Sequence, residues 1–175
     1  MNWLAYAIFA GLLLTLQSTA AAEAAVFGAR PDLLVATAAF LSLFGRPRDA
    51  AIGAWLLGAG ADLLTVERFG LMSLSYLLAA VSISSIRLYV FRGEALTQMV
   101  VVLVAALAVN GICLIYRHLL YDPAESVLRG MAASVVFGSV YSAVVAVPLF
   151  GVLRRIAPAL GMPRMREPWA AARYG

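Results

Sequence analysis

The chain has 175 residues, is 63% hydrophobic and only 13% charged, and has a mean hydropathy of +0.92. Soluble domains are about 45–50% apolar and about 25% charged, so this composition argues against a soluble globular fold and predicts an all-α integral membrane protein. All 13 basic residues are Arg, giving a net charge of +4 and a pI near 9.6; they fall between apolar runs and in the tail, which is a membrane-topology pattern rather than a nucleic-acid face.

Six apolar runs read as membrane helices. The first, Trp3–Ala22, ends in Ala20-Ala21-Ala22 before Glu23, like a signal-peptide cleavage site. Its opening MNWLAY has no Lys or Arg, so the segment is read as a retained first span. The second run, Leu33–Phe44, is short, about 18 Å at 1.5 Å per residue against a hydrocarbon core of about 30 Å. Ala50–Leu64 and Leu71–Ile86 are short too, so all three must borrow flanking residues or lie inside the protein. Pro31-Asp32 and Pro47-Arg48-Asp49 supply the proline and acid that favour helix starts. In the third run Ala50, Ala54, Gly58 and Asp62 follow one another at i+4 steps along one helix face. Three small residues there allow close backbone approach, and a lipid-facing Asp would be costly, so the face is shaped to pack against protein. The fifth and sixth runs, Met99–Tyr116 and Met131–Val152, are, like the first, long enough to cross. Asp122-Pro123-Ala124-Glu125 resembles a capping box and predicts that the sixth helix begins near Pro123.

The domain division is a six-span bundle over residues 1–153 and a basic tail over 154–175, which carries five Arg with Pro158, Pro163, Pro168 and Trp169. Six spans put both termini on one side. Arg46, Arg48, Arg87, Arg92, Arg154, Arg155, Arg164, Arg166 and Arg173 then share that side, against Arg30, Arg68, Arg117 and Arg129 opposite. The positive-inside rule makes the termini cytoplasmic.

Catalytic constellations are absent from the sequence: it has no Walker A loop, GxGxxG, HExxH or GxSxG. One Cys and one His exclude the usual zinc clusters, so no cofactor or metal is expected. Cys113 reads as a small buried hydrophobe and His118 as an interfacial polar residue. Glu23, Asp32, Glu67, Asp122 and Glu125 lie near span ends within reach of water. Asp62, with Asn110 and Gln17 as lesser polar residues, remains inside the spans. It reads first as a lock on the fold, with Arg68 or Arg117 or a helix end as its partner, and second as a ligand group.

The residues Leu16-Gln17-Ser18-Thr19, Arg30-Pro31-Asp32-Leu33-Leu34, the Gly45-to-Asp49 turn, Gly58-Ala59-Gly60-Ala61-Asp62-Leu63-Leu64, Phe69-Gly70-Leu71 and Leu74-Ser75-Tyr76-Leu77 together resemble the MreD family of bacterial rod-shape-determining membrane proteins. The match covers roughly residues 16–80; the remainder agrees only in hydropathy. The wholly Arg basic complement and the Pro/Arg-rich tail depart from the family pattern. The resemblance implies a six-helix bundle similar to the substrate-binding subunits of energy-coupling-factor transporters. It also implies a non-catalytic inner-membrane subunit of the cell-elongation complex, supporting peptidoglycan synthesis and cell shape. MreC is the implied direct partner, within an assembly that includes MreB, RodA and a class B penicillin-binding protein. Candidate structural or partner-contact residues are Pro31, Asp32, Gly53, Ala54, Gly58, Asp62, Gly70 and Tyr76.

Two other functions compete. A vitamin-like small-molecule transporter subunit would need a polar pocket in the bundle, involving Asp62, Asn110 and Tyr76. An enzyme acting on lipid-linked substrates lacks a catalytic group set.

Overall fold

In the computed structural model, residues 2–19, 30–65, 70–87, 94–121 and 125–162 are described. Among them are six α-helices and no strand. They are α1 (Trp3–Ser18), α2 (Leu33–Phe44), α3 (Pro47–Leu64), α4 (Leu71–Ile86), α5 (Ala95–Tyr121) and α6 (Glu125–Ile156). The second and fourth helices have the bounds expected from their apolar runs. The third begins at Pro47, which occupies the first helical turn where a missing N–H costs nothing. The fifth and sixth run past their apolar cores into the polar segments at both ends, because a helix is limited by backbone hydrogen bonding rather than by side-chain hydropathy. Among the described residues, α5 and α6 are the two helices long and apolar enough to cross a membrane; α1, α2 and α4 are shorter apolar helices, α1 ending at Ser18 where the first run was expected to reach Ala22, and Ala20–Ala22 lie outside the described residues.

The short helix α2 is the centre of the molecule. It is apolar on every side, and ten of its twelve residues, Leu34 to Leu43, are buried. A helix of that kind must be enclosed by others, and α1, α3, α4, α5 and α6 all pack against it. Helices α4 and α6 run parallel to α2. Tyr76 of α4 meets Asp32 at one end of α2 and Ser84 meets Ser42 near the other. Along α6, Ser142 meets Asp32, and Phe150 packs edge-on against both Phe40 and Phe44 at centroid distances of 5.3 and 6.3 Å. One step further along, the Arg154 guanidinium lies 5.2 Å from the Phe44 ring centroid. At this same end the Arg87 guanidinium donates to the Gly45 carbonyl (2.7 Å). The Asn2 amide donates to the Leu160 carbonyl (2.9 Å), so the start of α1 meets the turns that follow α6 there. Leu160 and Met162 are buried, extending the packed unit beyond Val152.

The opposite end holds the starts of α2, α4 and α6. There the α5–α6 hairpin outruns the other helices. The last buried residue of α5 is Cys113 and the first of α6 is Gly138. The intervening turns carry exposed apolar side chains, among them Leu119, Tyr121 and Phe137.

Candidate functional site

Because α2 is central, its N-terminus lies inside the bundle, and the first backbone N–H groups of a helix have no partner within the helix. Three side chains, one each from α1 and α6 and that of the cap residue itself, meet that need. The Asp32 amide donates to Ser142 Oγ of α6 (2.7 Å), and the Leu33 amide donates to Gln17 Oε1 of α1 (2.9 Å). The amides of Leu34 and Val35 donate to Asp32 Oδ1 at 3.1 and 3.0 Å, making Asp32 the N-cap residue. Gln17 uses its other end as well, donating from Nε2 to the Pro31 carbonyl (3.1 Å). The buried Tyr76 hydroxyl of α4 sits 3.2 and 3.3 Å from the two Asp32 carboxylate oxygens and donates to them. Pro31 and Asp32 start the helix as the sequence suggests, but Asp32 is the N-cap and Pro31 precedes it, so the proline is not at the first helical position nor the acid in the first turn. Asp32 is partly accessible at its helix end, as expected, with its carboxylate taken up by the cap and one edge bordering a cavity.

Asp62 solves the same problem for α4. Its Oδ2 accepts from the Gly70 amide (2.9 Å), the Ser73 amide (3.0 Å) and the Ser73 hydroxyl (2.7 Å), and its Oδ1 accepts from the Met72 amide (2.9 Å). The carboxylate is buried at the positive end of α4 and is held by four donors. Gly70 makes this possible with φ +109°, a left-handed conformation that side-chain-bearing residues rarely adopt. Of the expected partners for Asp62, the helix end is the one used; Arg68 lies outside the described residues, and Arg117 lines a separate cavity.

The small-residue face of α3 is taken up inside the chain. A Cβ on Gly58 would stand 2.6 Å from Ser73 Cα and 2.8 Å from the Met72 carbonyl oxygen, so α4 crosses with its backbone against this glycine. Gly53 faces α1, where Tyr6 donates its hydroxyl to the Gly53 carbonyl (2.6 Å), and Ala54 is fully buried. These residues hold helices of the same chain together, which is the internal-packing side of the alternative that the sequence leaves open.

Beside the Asp32 cap is a cavity of about 590 Å³, open at this end of the bundle. Its walls come from the ends of α1, α2, α4, α5 and α6, with Arg30, Asp32, Asn110 and Arg117 among the polar groups. Asn110 donates to the Ala106 carbonyl (3.0 Å) and lines this space. Asp62 and Tyr76, proposed from sequence as its companions, are instead committed to the two helix caps. Cys113 is buried, as expected, with Sγ 3.5 Å from Met72 Sδ, and both line the cavity wall. His118 is exposed in the last turn of α5.

Sequence reasoning missed the double role of Gln17 and the part played by Ser142. Gln17 had a signal, being the one amide in an apolar helix, whereas Ser142 is one hydroxyl among several in α6. Arg30 was read only as a topology marker. Among the described residues no group of three or more His, Cys, Asp or Glu could hold a metal. No protein-family model, curated protein or solved structure matches the chain.

Proposed function

We propose that this chain is a multi-pass protein of the bacterial inner membrane, with cytoplasmic termini, and a non-catalytic scaffold of the MreD type that binds MreC in the cell-elongation complex. The observation that carries this reading is the use made of the residues behind the resemblance. Gln17, Pro31, Asp32, Gly58, Asp62, Gly70 and Tyr76 are all spent on capping or packing α2 and α4. A set of residues that builds a rigid helical frame, with its polar groups hydrogen-bonded to helix ends, suits a protein whose work is to hold a partner in place. Nucleophilic catalysis would require instead an activated group beside a base.

With the Gly58 face closed, MreC contact falls to exposed helix surfaces, such as Ile8 and Leu12 on α1 or Phe137 on α6. Photo-crosslinkers at Ile8, Leu12 and Phe137 in bacterial membranes are expected to capture MreC from at least one position, and depletion of the chain is expected to round the cells. Failure to recover MreC by crosslinking or co-purification, together with normal cell shape on depletion, would end this reading.

The cavity favours a second reading, in which the chain is the substrate-binding subunit of a small-molecule transporter. Its volume falls within the range of about 300–1,000 Å³ common for ligand sites, and polar and apolar residues both line it. A thermal-shift screen with vitamins and cell-wall precursors separates the two: stabilisation by a water-soluble vitamin supports transport.

A further inference from the structure

The helices form two walls of unequal height around α2. On one side α1 packs on α3 and α3 on α4; on the other α5 and α6 pack on each other. The walls are level at one end. There Asn2, at the start of α1, bonds to Leu160, and Arg87, at the end of α4, bonds to Gly45, which precedes the start of α3. Arg154 of α6 stands at the same level, beside Phe44. The difference in height therefore falls at the opposite end.

Helix length sets each height. Trp3–Leu16 of α1, ahead of Gln17-Ser18-Thr19, is about 21 Å of apolar helix at 1.5 Å per residue. Ala50–Leu64 of α3 is about 22 Å and Leu71–Ile86 of α4 about 24 Å, and the caps Thr65 and Gly70 end both helices there. In sequence Glu67 and Arg68 stand between those caps, so the chain turns polar beyond both helices. On the other wall, exposed apolar side chains run from Leu96 to Leu120 on α5 and from Val127 to Val152 on α6, each about 38 Å.

A hydrocarbon core is about 30 Å thick. A helix longer than that tilts, but a shorter one has no such recourse, and the bilayer thins to meet it. Helix α2 escapes the conflict because it is enclosed. The other short helices do not: Ile8 and Leu12 on α1, Trp55 and Leu63 on α3, and Leu74 and Leu78 on α4 are exposed. The cavity beside Asp32 opens in the step between the walls, where the short helices have ended beside the α5–α6 hairpin. Exposed Arg30 and the Asp32 carboxylate mark that end of α2, only about 18 Å of helix from Gly45. Charge at that depth calls for water, at a level beyond which the hairpin still presents Leu119 and Phe137.

We propose that the α1–α3–α4 wall is fitted to a bilayer thinned locally to about 21–24 Å, whereas the α5–α6 wall spans the full thickness. The chain draws the membrane in on one side and there selects lipids with short acyl chains. The proposal rests on the reading of the chain as a membrane protein but not on MreC, whose capture by crosslinking is an independent measurement.

Tryptophan reports on each wall. Trp55 lies about 12 Å along α3 from Pro47, and Val144 lies about 15 Å along α6 from Arg154; both are exposed. The full chain is reconstituted into vesicles of phosphatidylcholine with two monounsaturated chains of 14, 18 or 22 carbons, mixed with dibrominated phosphatidylcholine as the fluorescence quencher. W3F/W169F leaves Trp55 as the reporter, and W3F/W55F/W169F/V144W moves the reporter to the tall wall. Unchanged helical circular dichroism checks the fold, and V104W on α5, also exposed, replaces V144W if that variant loses it. The preference for 14-carbon over 22-carbon lipid is expected to be at least about threefold greater at Trp55 than at the tall-wall reporter, since every ångström of mismatch carries a cost. A chain that floats with none of the vesicles overturns the membrane reading and the proposal with it. A smaller difference between the two walls, or a greater preference at the tall one, overturns the proposal alone.

Discussion

At Asp62 the capping carboxylate and the helix start it serves lie eight to eleven residues apart, in the two arms of the α3–α4 hairpin. At Asp32 the cap is assembled from Gln17, Tyr76 and Ser142, at separations of 16, 44 and 110 residues. Both sites meet the same requirement, acceptors for the orphan amides of a helix that begins inside protein. The first is complete once one hairpin has closed; the second exists only when α1, α4 and α6 have gathered around α2. Loop-closure entropy makes the hairpin the less costly of the two to form. The comparison also separates a dry cap from a wet one. Asp62 is only 3% exposed, whereas Asp32 borders the cavity, where water can stand in for a lost acceptor.

The largest effect should come from forcing the hairpin apart at Gly58. Its missing side chain leaves room for backbone, not for a movable neighbour, since the Cβ of any replacement would sit 2.6 Å from Ser73 Cα. Gly58→Leu is expected to yield no folded protein. Gly58→Ala should lower stability by about 1–3 kcal/mol, the usual cost of overpacking, as measured by thermal unfolding in detergent. An unchanged midpoint for the alanine variant would mean that α3 and α4 are not pinned together there, and the contrast between a tight local cap and a looser distributed one would lose its first term.

Removing the acids comes next. Asp62→Ala strands three amides and a hydroxyl in a buried place, so a loss of about 3 kcal/mol or more is expected from unsatisfied donors. Asp32→Ala strands two amides and the Tyr76 hydroxyl, but beside a cavity that admits water, and about 2 kcal/mol is expected, at the upper end for a lost N-cap. Unfolding midpoints of the two variants decide the order. If Asp32→Ala proves the more damaging, the distributed cap dominates and the wet-versus-dry distinction fails.

Much of the hairpin was legible because its signals are local. Pro47 and Asp49 mark the start of α3, four-residue spacing puts Gly58 and Asp62 on one face, and a lone acid in an apolar run demands a nearby partner. The Asp62 donors were harder to foresee, since an arginine and a helix end satisfy a carboxylate equally well on paper. What was hidden was the third dimension. Leu33–Phe44 reads as a short span, yet its shortness and all-round hydropathy describe a helix enclosed by five others. Once α2 is central, Gln17 and Ser142 acquire their roles and Arg30 comes to face a cavity, and no periodicity along the chain encodes that convergence. The small-residue stripe had the same ambiguity: close packing predicts a backbone neighbour but not whether that neighbour belongs to the same chain.

The smallest effect tests the two caps at the level of one hydroxyl each. Ser73 Oγ lies 2.7 Å from Asp62 Oδ2, an ordinary length for a hydroxyl–carboxylate bond, while the Tyr76 hydroxyl is spread across both Asp32 oxygens at the longer 3.2 and 3.3 Å. Side-chain hydrogen bonds within membrane helical bundles average about 0.6 kcal/mol in double-mutant cycles and reach about 1.7 at most. The Ser73→Ala/Asp62→Ala cycle should therefore give a coupling toward the upper part of that range. The Tyr76→Phe/Asp32→Ala cycle should give one near or below the average, because each of its contacts is long and the carboxylate has water as an alternative donor. The cycle cancels the amide donors common to both backgrounds, leaving only the hydroxyl–carboxylate pairing. Equal couplings would mean that cavity water does not weaken the Asp32 site. The difference between the two caps would then rest on how their parts are brought together in the fold, and not on how well each is sealed.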